Sequence, residues 1–346
     1  MSLQILDKPV GPIGFGLMGF TWRPTITPDD QAFTAMKLAI EHGANFFNGG
    51  EFYGTPVPTL NLDLINRFFT KYPKYADKVV LSIKGGVDLT THAVNGSPEF
   101  VRQSVENIIK HLGTAKKLDL FECARVDPNV YCEFAFHTDE QYGPIETTVF
   151  ALAELVKEGL IGGISLSEVK AETIRRAAAV HTIAAVEVEY SLWSTEARDL
   201  GVLSTCAELG IPVIAYSPLG RGFLTGQIRS RQDFDEGDFR LNFERFSEEN
   251  FAVNLQLVDE ITKLAQKKGI KPSQLAISWI KKHEDIIPGL HIIPIPGATT
   301  VERVDENLTE VEALTGDEFA EIGAILDKVE IKGGRYYKHA ESLLWG

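Results

Sequence analysis

The sequence of 346 residues contains only three cysteines, Cys123, Cys132 and Cys206. Three are too few for a disulfide framework, and their spacing is not that of a metal site. We therefore expect a reducing compartment and no bound metal. The cytoplasm is the first expectation for the location, and the nucleus stays open.

Long apolar runs and an excess of positive charge are also lacking. No run approaches the roughly 18 apolar residues of a membrane helix, and the first seven residues do not have the basic and apolar regions of a secretory signal. The formal net charge is −14 and the pI is near 5.1. Nucleic acid and anionic membranes are therefore disfavoured as partners, because their phosphates would be repelled. The composition leaves the oligomeric state open.

Short apolar runs recur along the whole chain and predict eight strands. Most of the runs are continuously apolar instead of alternating, which is typical of parallel strands buried on both faces. The predicted strands cover residues 13–15, 44–47, 79–83, 118–121, 161–165, 183–188, 212–216 and 291–295.

Helical patterns with clear start and stop signals lie between these strands. Thr27 is a predicted N-cap before Pro28, with Gly43 just past the helix end, and Thr315 is the predicted cap of the last helix. Further helices are predicted from Ser97 to Gly113 and over 144–159, 170–179, 250–268, 273–282 and 301–308. The alternation predicts a single α/β domain over residues 1–346, a (β/α)8 TIM barrel with a C-terminal loop and helix extension. A doubly wound sheet with an appended domain is the alternative.

Polar and aromatic side chains follow the predicted strands, where a barrel of this kind builds its site. Tyr53 follows the second strand beyond Asn48, Lys84 ends the third, and Ala124 with Arg125 follows the fourth. A lysine ammonium beside a buried tyrosine lowers the phenol's pKa from about 10, so that proton transfer becomes possible near neutral pH. The pair Tyr53 and Lys84 therefore predicts a proton donor for carbonyl reduction.

Five segments in order carry a resemblance to a known family. They are NFFNGGEFYG at 45–54, SLSEV at 165–169, EVEYSLW at 187–193, AYSPLGRG at 215–222 and IPGATTVER at 295–303, the last followed by Glu306 and Asn307. At these residues the chain resembles the aldo-keto reductases, whose members reduce aldehydes and ketones with NADPH on a (β/α)8 barrel. The third and fourth segments, with DLFECARVD at 119–127, are most similar to the fungal pyridoxal reductases, which reduce pyridoxal to pyridoxine.

The resemblance implies a role for each matching residue. Tyr53 matches the family's acid and Lys84 the residue that lowers its pKa, with Asn48 as the third catalytic position. Trp22, Ala124 and Arg125 fall at the site of a small-molecule aldehyde substrate. The implied cofactor is NADPH. The resemblance implies that its nicotinamide is bound by Ser167, Glu187 and Tyr216, and its pyrophosphate by Ser217, Leu219 and Arg221. Its 2′-phosphate and adenine would be bound by Thr299, Thr300, Arg303, Glu306 and Asn307.

Two positions depart from the family pattern, which has aspartate at 48 and histidine at 124. Without a carboxylate at Asn48, we expect Lys84 to be less compensated, its pKa to fall and its charge to act more fully on Tyr53. Ala124 removes a donor to the carbonyl oxygen but makes room for a substituted ring. Pyridoxal carries a phenolic hydroxyl beside its aldehyde, and this group could replace the missing donor. A general aldehyde or sugar reductase, and a non-catalytic NADPH-binding regulatory subunit, stay open as alternatives.

Overall fold

The barrel strands lie close to the apolar runs of the sequence. The computed structural model describes residues 3–130, 143–337 and 341–346, and Cys132 lies outside these ranges. A short antiparallel hairpin comes first, formed by β1 (Gln4–Ile5) and β2 (Lys8–Pro9). The eight barrel strands follow as β3 Phe15–Gly16, β4 Phe46–Gly50, β5 Val80–Gly85, β6 Leu120–Cys123, β7 Gly163–Ser167, β8 Ile183–Glu189, β9 Val213–Tyr216 and β10 Ile292–Pro294.

The eight strands are all parallel and form one sheet in sequence order, from β3 to β10. A parallel bridge between Gly16 and Gly297 joins the first strand to the end of the last, and the amide of Gly14 donates to the carbonyl of Pro294 at 2.9 Å. The sheet therefore closes on itself. The predicted single (β/α)8 barrel is confirmed, and the doubly wound alternative is wrong.

Most strands begin one or two residues later than the apolar runs predicted. Several of them also end in polar residues that face the barrel interior. The helices alternate with the strands as expected. They are α1 Asp29–Glu41, α2 Leu60–Lys71, α3 Pro98–Leu112, α4 Pro144–Lys157, α5 Ala171–Val180, α6 Glu196–Asp199, α7 Val202–Leu209, α8 Glu248–Lys268, α9 Pro272–Lys282, α10 Val301–Leu308 and α11 Gly316–Leu326. Within the described ranges, no helix is both long and apolar enough to cross a membrane.

The helix ends show which sequence signals were informative. Thr315 caps α11 as predicted, because its hydroxyl accepts from the amide of Glu318 at 3.2 Å. The predicted cap at Thr27 is wrong, since Pro28 is the N-cap residue of α1. Helices α2, α6 and α7 were not predicted. For α7 the reason is that no polar side chain caps it, and Gly201 at φ 72° precedes its first residue.

Apolar side chains close the amino end of the barrel. Ile5 and Val10, from the hairpin region, pack with inward side chains of the strands, which include Phe46, Val80, Leu120, Ile214 and Ile293. A second and larger core lies between the strands and the surrounding helices. With the amino end filled, the carboxyl end is the part of the barrel interior that holds polar groups, as is general for this architecture.

Candidate active site

A buried polar cluster lies inside the barrel at the carboxyl end. It joins Asn48 of β4, Lys84 of β5, Glu122 of β6 and Glu187 of β8, and strand register sets Lys84 directly beside Glu122. The Nζ atom of Lys84 lies 3.1 Å from Oε1 of Glu122 and also pairs with Glu187. The Nδ2 atom of Asn48 donates to Oε2 of Glu122 at 2.9 Å and to Oε2 of Glu187 at 2.6 Å. The cluster therefore places two carboxylates around one ammonium.

The expectation that Lys84 lacks compensation is wrong. Burial acts to lower the pKa of Lys84, but the attraction of Glu122 and then of Glu187 outweighs burial, and the pKa is raised well above its ordinary value. Asn48 contributes only a weak contact, with its Oδ1 3.4 Å from Nζ. Neighbouring strands thus supply the carboxylates that are missing at position 48.

Tyr53 lies beside this cluster, in the loop after β4. Its side chain is buried, with 7% of the residue exposed, and its ring packs against Phe52 at 5.1 Å and Trp22 at 5.4 Å between centroids. The carbonyl of Tyr53 accepts from the hydroxyl of Thr21 at 2.5 Å. The Nζ atom of Lys84 lies 5.8 Å from the centre of the Tyr53 ring. The structure therefore brings the predicted pair together.

The expected direction of the Tyr53 pKa is wrong. Burial raises the pKa of Tyr53 above its free value, Lys84 lowers it by a smaller amount, and Glu187 and Glu122 add to the increase. The phenol of Tyr53 therefore carries its proton at neutral pH. A protonated donor is the form that the reduction of a carbonyl requires.

Ser167 and Glu187, predicted at the nicotinamide, lie on the adjacent strands β7 and β8 in direct register. Ser167 is fully buried, and its hydroxyl has no hydrogen-bond partner among the described residues. An unpartnered buried hydroxyl is unusual and fits a hydrogen bond to a bound amide. The carboxylate of Glu187 is instead engaged with Lys84 and Asn48. Its contact with a nicotinamide stays a prediction.

Tyr216 belongs to a second polar cluster at the barrel mouth. Its hydroxyl donates to Oε1 of Glu168 at 2.9 Å and lies 2.7 Å from the hydroxyl of Tyr336. Arg335 donates to Oε2 of Glu168 at 2.8 Å and pairs with Glu189 at 3.4 Å. Burial acts to raise the pKa of Glu168, but Arg335 outweighs burial and the pKa is lowered. The C-terminal segment therefore reaches into the mouth through a buried ion pair.

The loop after β9, predicted to close on a pyrophosphate, has an unusual backbone. Ser217 at φ 50°, Gly220 at φ 55°, Arg221 at φ 56° and Gly222 at φ 93° all adopt left-handed conformations. Such strain at non-glycine residues is concentrated at functional sites. The side chain of Leu219 is buried, and Arg221 donates to Glu189 at 3.2 Å. After this turn, the segment up to residue 247 contains three short 3-10 helices, at Arg231–Asp233, Phe239–Asn242 and Glu244–Phe246.

The residues predicted for the 2′-phosphate and adenine lie at α10. The hydroxyl of Thr300 caps this helix by accepting from the amide of Arg303 at 3.4 Å, and the carbonyl of Thr299 accepts from Gln31 at 2.7 Å. The guanidinium of Arg303 is exposed and donates to Gln227 at 3.3 Å. The other two residues predicted for the adenine end follow on the same helix. Glu306 accepts from the hydroxyl of Ser273, and Asn307 is buried. A helix N-terminus with an accessible arginine favours an anion.

Of the three predicted substrate residues, Trp22 contacts the ring of Tyr53, and Ala124 with Arg125 follows β6. Ala124 is buried, and its amide donates to the carbonyl of Gly85 at 3.1 Å. Arg125 places its guanidinium 5.3 Å from the centre of the Tyr336 ring. Trp22 stacks on Phe239 with 6.1 Å between ring centroids. The contact of Ala124 with a substrate stays a prediction.

Sequence reasoning missed several members of the two clusters, chiefly Glu122, Glu189, Arg335 and Tyr336. Glu122 carried a usable signal. It is an acid in an apolar strand and lies two residues before Ala124, so both side chains face the same side of the sheet. Arg335 and Tyr336 carried none, because no periodic pattern marks the segment around them.

Comparison with known proteins places these features in context. The model described as "Aldo/keto reductase family" matches residues 12–327. A Schizosaccharomyces pombe protein named "Probable pyridoxal reductase 2" is 45% identical over 340 residues, which cover 97% of each chain. A second protein of that organism, named aldo-keto reductase yakc with NADP(+) in its name, is 35% identical over 99% of this chain and 96% of its own. A solved glycerol dehydrogenase from Gluconobacter oxydans superposes with a TM-score of 0.76 at 21% identity, covering 96% of this chain and 97% of its own, which bears on the fold alone.

Proposed function

The chain belongs to the aldo/keto reductase family, and from that premise we propose that it reduces pyridoxal to pyridoxine with NADPH. Membership of the family supports the general reaction, which is an NAD(P)-dependent reduction of a small carbonyl compound. The observation that carries the proposal is the protonated, buried Tyr53 beside the ammonium of Lys84. The name of the Schizosaccharomyces pombe relative supports the choice of pyridoxal.

The residues at the barrel mouth fit NADPH, which supplies a hydride to the carbonyl carbon. The unpartnered hydroxyl of Ser167 is available to the carboxamide, and the ring of Tyr216 offers a stacking surface. The left-handed loop 217–222 forms a turn of the kind that binds pyrophosphate. At α10, Thr299, Thr300, Arg303, Glu306 and Asn307 would hold the adenosine end.

Arg303 should set the preference for NADPH over NADH. We expect Arg303→Gln to raise the Kd of NADPH roughly 10- to 100-fold, because a charge-assisted hydrogen bond of about 1.5–3 kcal/mol to the 2′-phosphate is lost. The Kd of NADH, which lacks that phosphate, should not change. Quenching of protein fluorescence measures both constants.

Arg175→Gln is the matched control, since Arg175 is exposed on α5 and pairs with Glu208 and Thr205. It should leave both constants unchanged. An equal loss of NADH and NADPH affinity in Arg303→Gln would contradict a phosphate contact.

Proton transfer falls to Tyr53. Its O–H donates to the carbonyl oxygen as negative charge develops there, and the phenolate that remains is stabilised by the nearby ammonium of Lys84. Both Glu122 and Glu187 lie beside this ammonium. The burial of Tyr53 excludes water, so that these charges act strongly on one another.

The substrate's own hydroxyl should replace the donor that Ala124 lacks. We expect kcat/KM for pyridoxal to exceed that for an analogue without the phenolic hydroxyl by about 100- to 1,000-fold, the effect of one hydrogen-bond donor at a developing oxyanion. The guanidinium of Arg125, which follows Ala124 beyond the end of β6, donates to the carbonyl of Ala124. The rate of NADPH oxidation measures the ratio, and equal values for the two compounds would remove this part of the proposal.

Ala124→His tests the same idea from the side of the protein. The imidazole supplies a donor but fills the space of the ring, so turnover of pyridoxal should fall while that of a small unsubstituted aldehyde rises. Improvement of both substrates would show that space at position 124 is not limiting.

The proposed function is tested by following NADPH absorbance with the purified protein against pyridoxal, simple aldehydes and aldehyde sugars. Oxidation of NADPH with pyridoxal alone supports the proposal. Broad turnover would favour a general aldehyde or sugar reductase. Binding of NADPH without turnover of any compound would favour a regulatory subunit.

A further inference from the structure

Glu122 is the member of the Lys84 cluster to which no role has been assigned. It is fully buried, and its Oε1 lies 3.1 Å from the Nζ atom of Lys84. The parallel register of β5 and β6 pairs these two residues directly, so the backbone of two adjacent strands fixes the contact. A buried carboxylate held in this way is costly unless it is paired, and Lys84 is the cation that pairs with it.

The second oxygen of Glu122 is held by neutral donors. Its Oε2 accepts from Asn48 at 2.9 Å and from the hydroxyl of Ser82 at 3.0 Å. These bonds fix the rotation of the carboxylate and so point Oε1 at Lys84. Asn48 also donates to Glu187 at 2.6 Å. An amide at position 48 therefore suits a site with two acids, whereas a carboxylate there would add a third negative charge.

We propose that Glu122 is the positioning residue that keeps the ammonium of Lys84 charged and directed at Tyr53, with Asn48 as the neutral clamp that holds Glu122. The inference rests on the proposed reductase function. Glu122 acts through Lys84 and does not touch the substrate.

The charges around Lys84 agree with this role. The groups that face its Nζ atom are Glu122 of β6, Glu187 of β8, Tyr53 of the loop after β4 and the ring of Tyr216 of β9 at 5.4 Å. Burial raises the pKa of Glu187, and the negative charge of Glu122 raises it further. Glu122 also acts to raise the pKa values of both Tyr53 and Lys84.

The first test is Glu122→Gln, which keeps the shape and removes the charge. We expect kcat to fall roughly 100-fold, the loss typical of a misplaced catalytic group, with an unchanged Kd for NADPH. The alkaline limb of the pH profile should move to lower pH, because Tyr53 and Lys84 lose an anion that raises their pKa values. Glu51→Gln is the matched control, since Glu51 is buried and bonded to Ser104 and Asn107. It should leave the limb in place.

The second test is rescue by Asn48→Asp. In the Glu122→Gln background this change returns one carboxylate to the cluster, so kcat should recover at least 10-fold and the alkaline limb should move back. In the wild-type background it adds a third acid and should lower kcat. The proposal would be overturned if the double variant had the same kcat as Glu122→Gln. It would also be overturned if Glu122→Gln lowered kcat without shifting the alkaline limb of the pH profile.

A measurement of stability, which does not depend on activity, tests this inference separately from the proposed function. The raised pKa of Lys84 contributes stability that is present below its unfolded pKa of about 10.4 and is lost as the pH rises through the folded value. The loss begins at the unfolded pKa in every variant, but it ends at the folded pKa, which should be lower in Glu122→Gln. Glu122→Gln should therefore lose less stability above about pH 10.4 than wild type and Glu51→Gln. Urea unfolding between about pH 8 and 12 measures the difference. If the curves coincide, Glu122 does not hold the charge of Lys84, whatever the activity of the enzyme.

Discussion

Tyr53→Phe lowers kcat for aldehyde reduction by roughly 10²- to 10⁴-fold, the contribution of a positioned general acid. The substitution removes the O–H that we propose as the proton donor and keeps the ring that packs between Trp22 and Phe52. Because packing is retained, the Kd of NADPH and the stability of the fold should change little. Single-turnover measurements with saturating NADPH separate the chemical step from binding.

Tyr75→Phe is the matched control for this prediction. Tyr75 is also a buried tyrosine with a hydroxyl bonded to a carboxylate, Glu41 at 3.2 Å, but it lies beyond α2 on the outside of the barrel. Its loss should leave kcat unchanged. A Tyr53→Phe variant that keeps more than about a tenth of the wild-type kcat would mean that another group donates the proton.

Lys84→Met destabilises the fold by about 3–5 kcal/mol at neutral pH, in addition to lowering activity. The substitution leaves Glu122 and Glu187 buried, close to each other and without a cation. The neutral amide of Asn48 and the hydroxyl of Ser82 remain as donors to these acids. Urea unfolding at pH 7 measures the loss of free energy.

The stability lost in Lys84→Met should depend on pH. Burial and the charge of Glu122 already raise the pKa of Glu187, and removing Lys84 removes a group that lowers it. A carboxyl with a folded pKa above its unfolded value of about 4.3 destabilises the fold at higher pH, and the penalty fades as the pH falls toward that value. The difference between variant and wild type should therefore be smaller at pH 5 than at pH 8.

Lys116→Met serves as the control for a buried lysine. Lys116 pairs with Asp119 at 2.5 Å, but Asp119 keeps a second cation, Lys8 at 2.7 Å. Its loss should cost less than that of Lys84, with a weaker dependence on pH. If both variants lose the same free energy at every pH, the two acids around Lys84 have no special effect.

The strands were predictable because their physical cause is local. A parallel strand buried on both faces must be apolar along its length, so each run was visible in the sequence and lay within two residues of the observed start. The proximity of Tyr53 and Lys84 was predictable for a related reason. Tyr53 and Lys84 follow consecutive strands, and the ends of adjacent parallel strands meet at one edge of the barrel.

The electrostatics of the pair were not predictable in the same way. Asn48 was expected to leave Lys84 without compensation and to lower the pKa of Tyr53. Glu122 and Glu187 instead compensate Lys84, and burial raises the pKa of Tyr53. Glu187 is 103 positions from Lys84 in the chain, and nothing local to either residue indicates their contact.

The amino-acid sequence alone determined the barrel, its strand order and the residues at its carboxyl end, because apolar patterning and strand alternation act over short distances. The tertiary structure decided which charges surround Lys84, that Asn48 bridges two acids, and that Arg335 enters the mouth from the C-terminal segment. The physical reason is that a pKa depends on burial and on charges within a few ångströms. Those charges come from strands that are distant in the chain and meet only when the barrel closes.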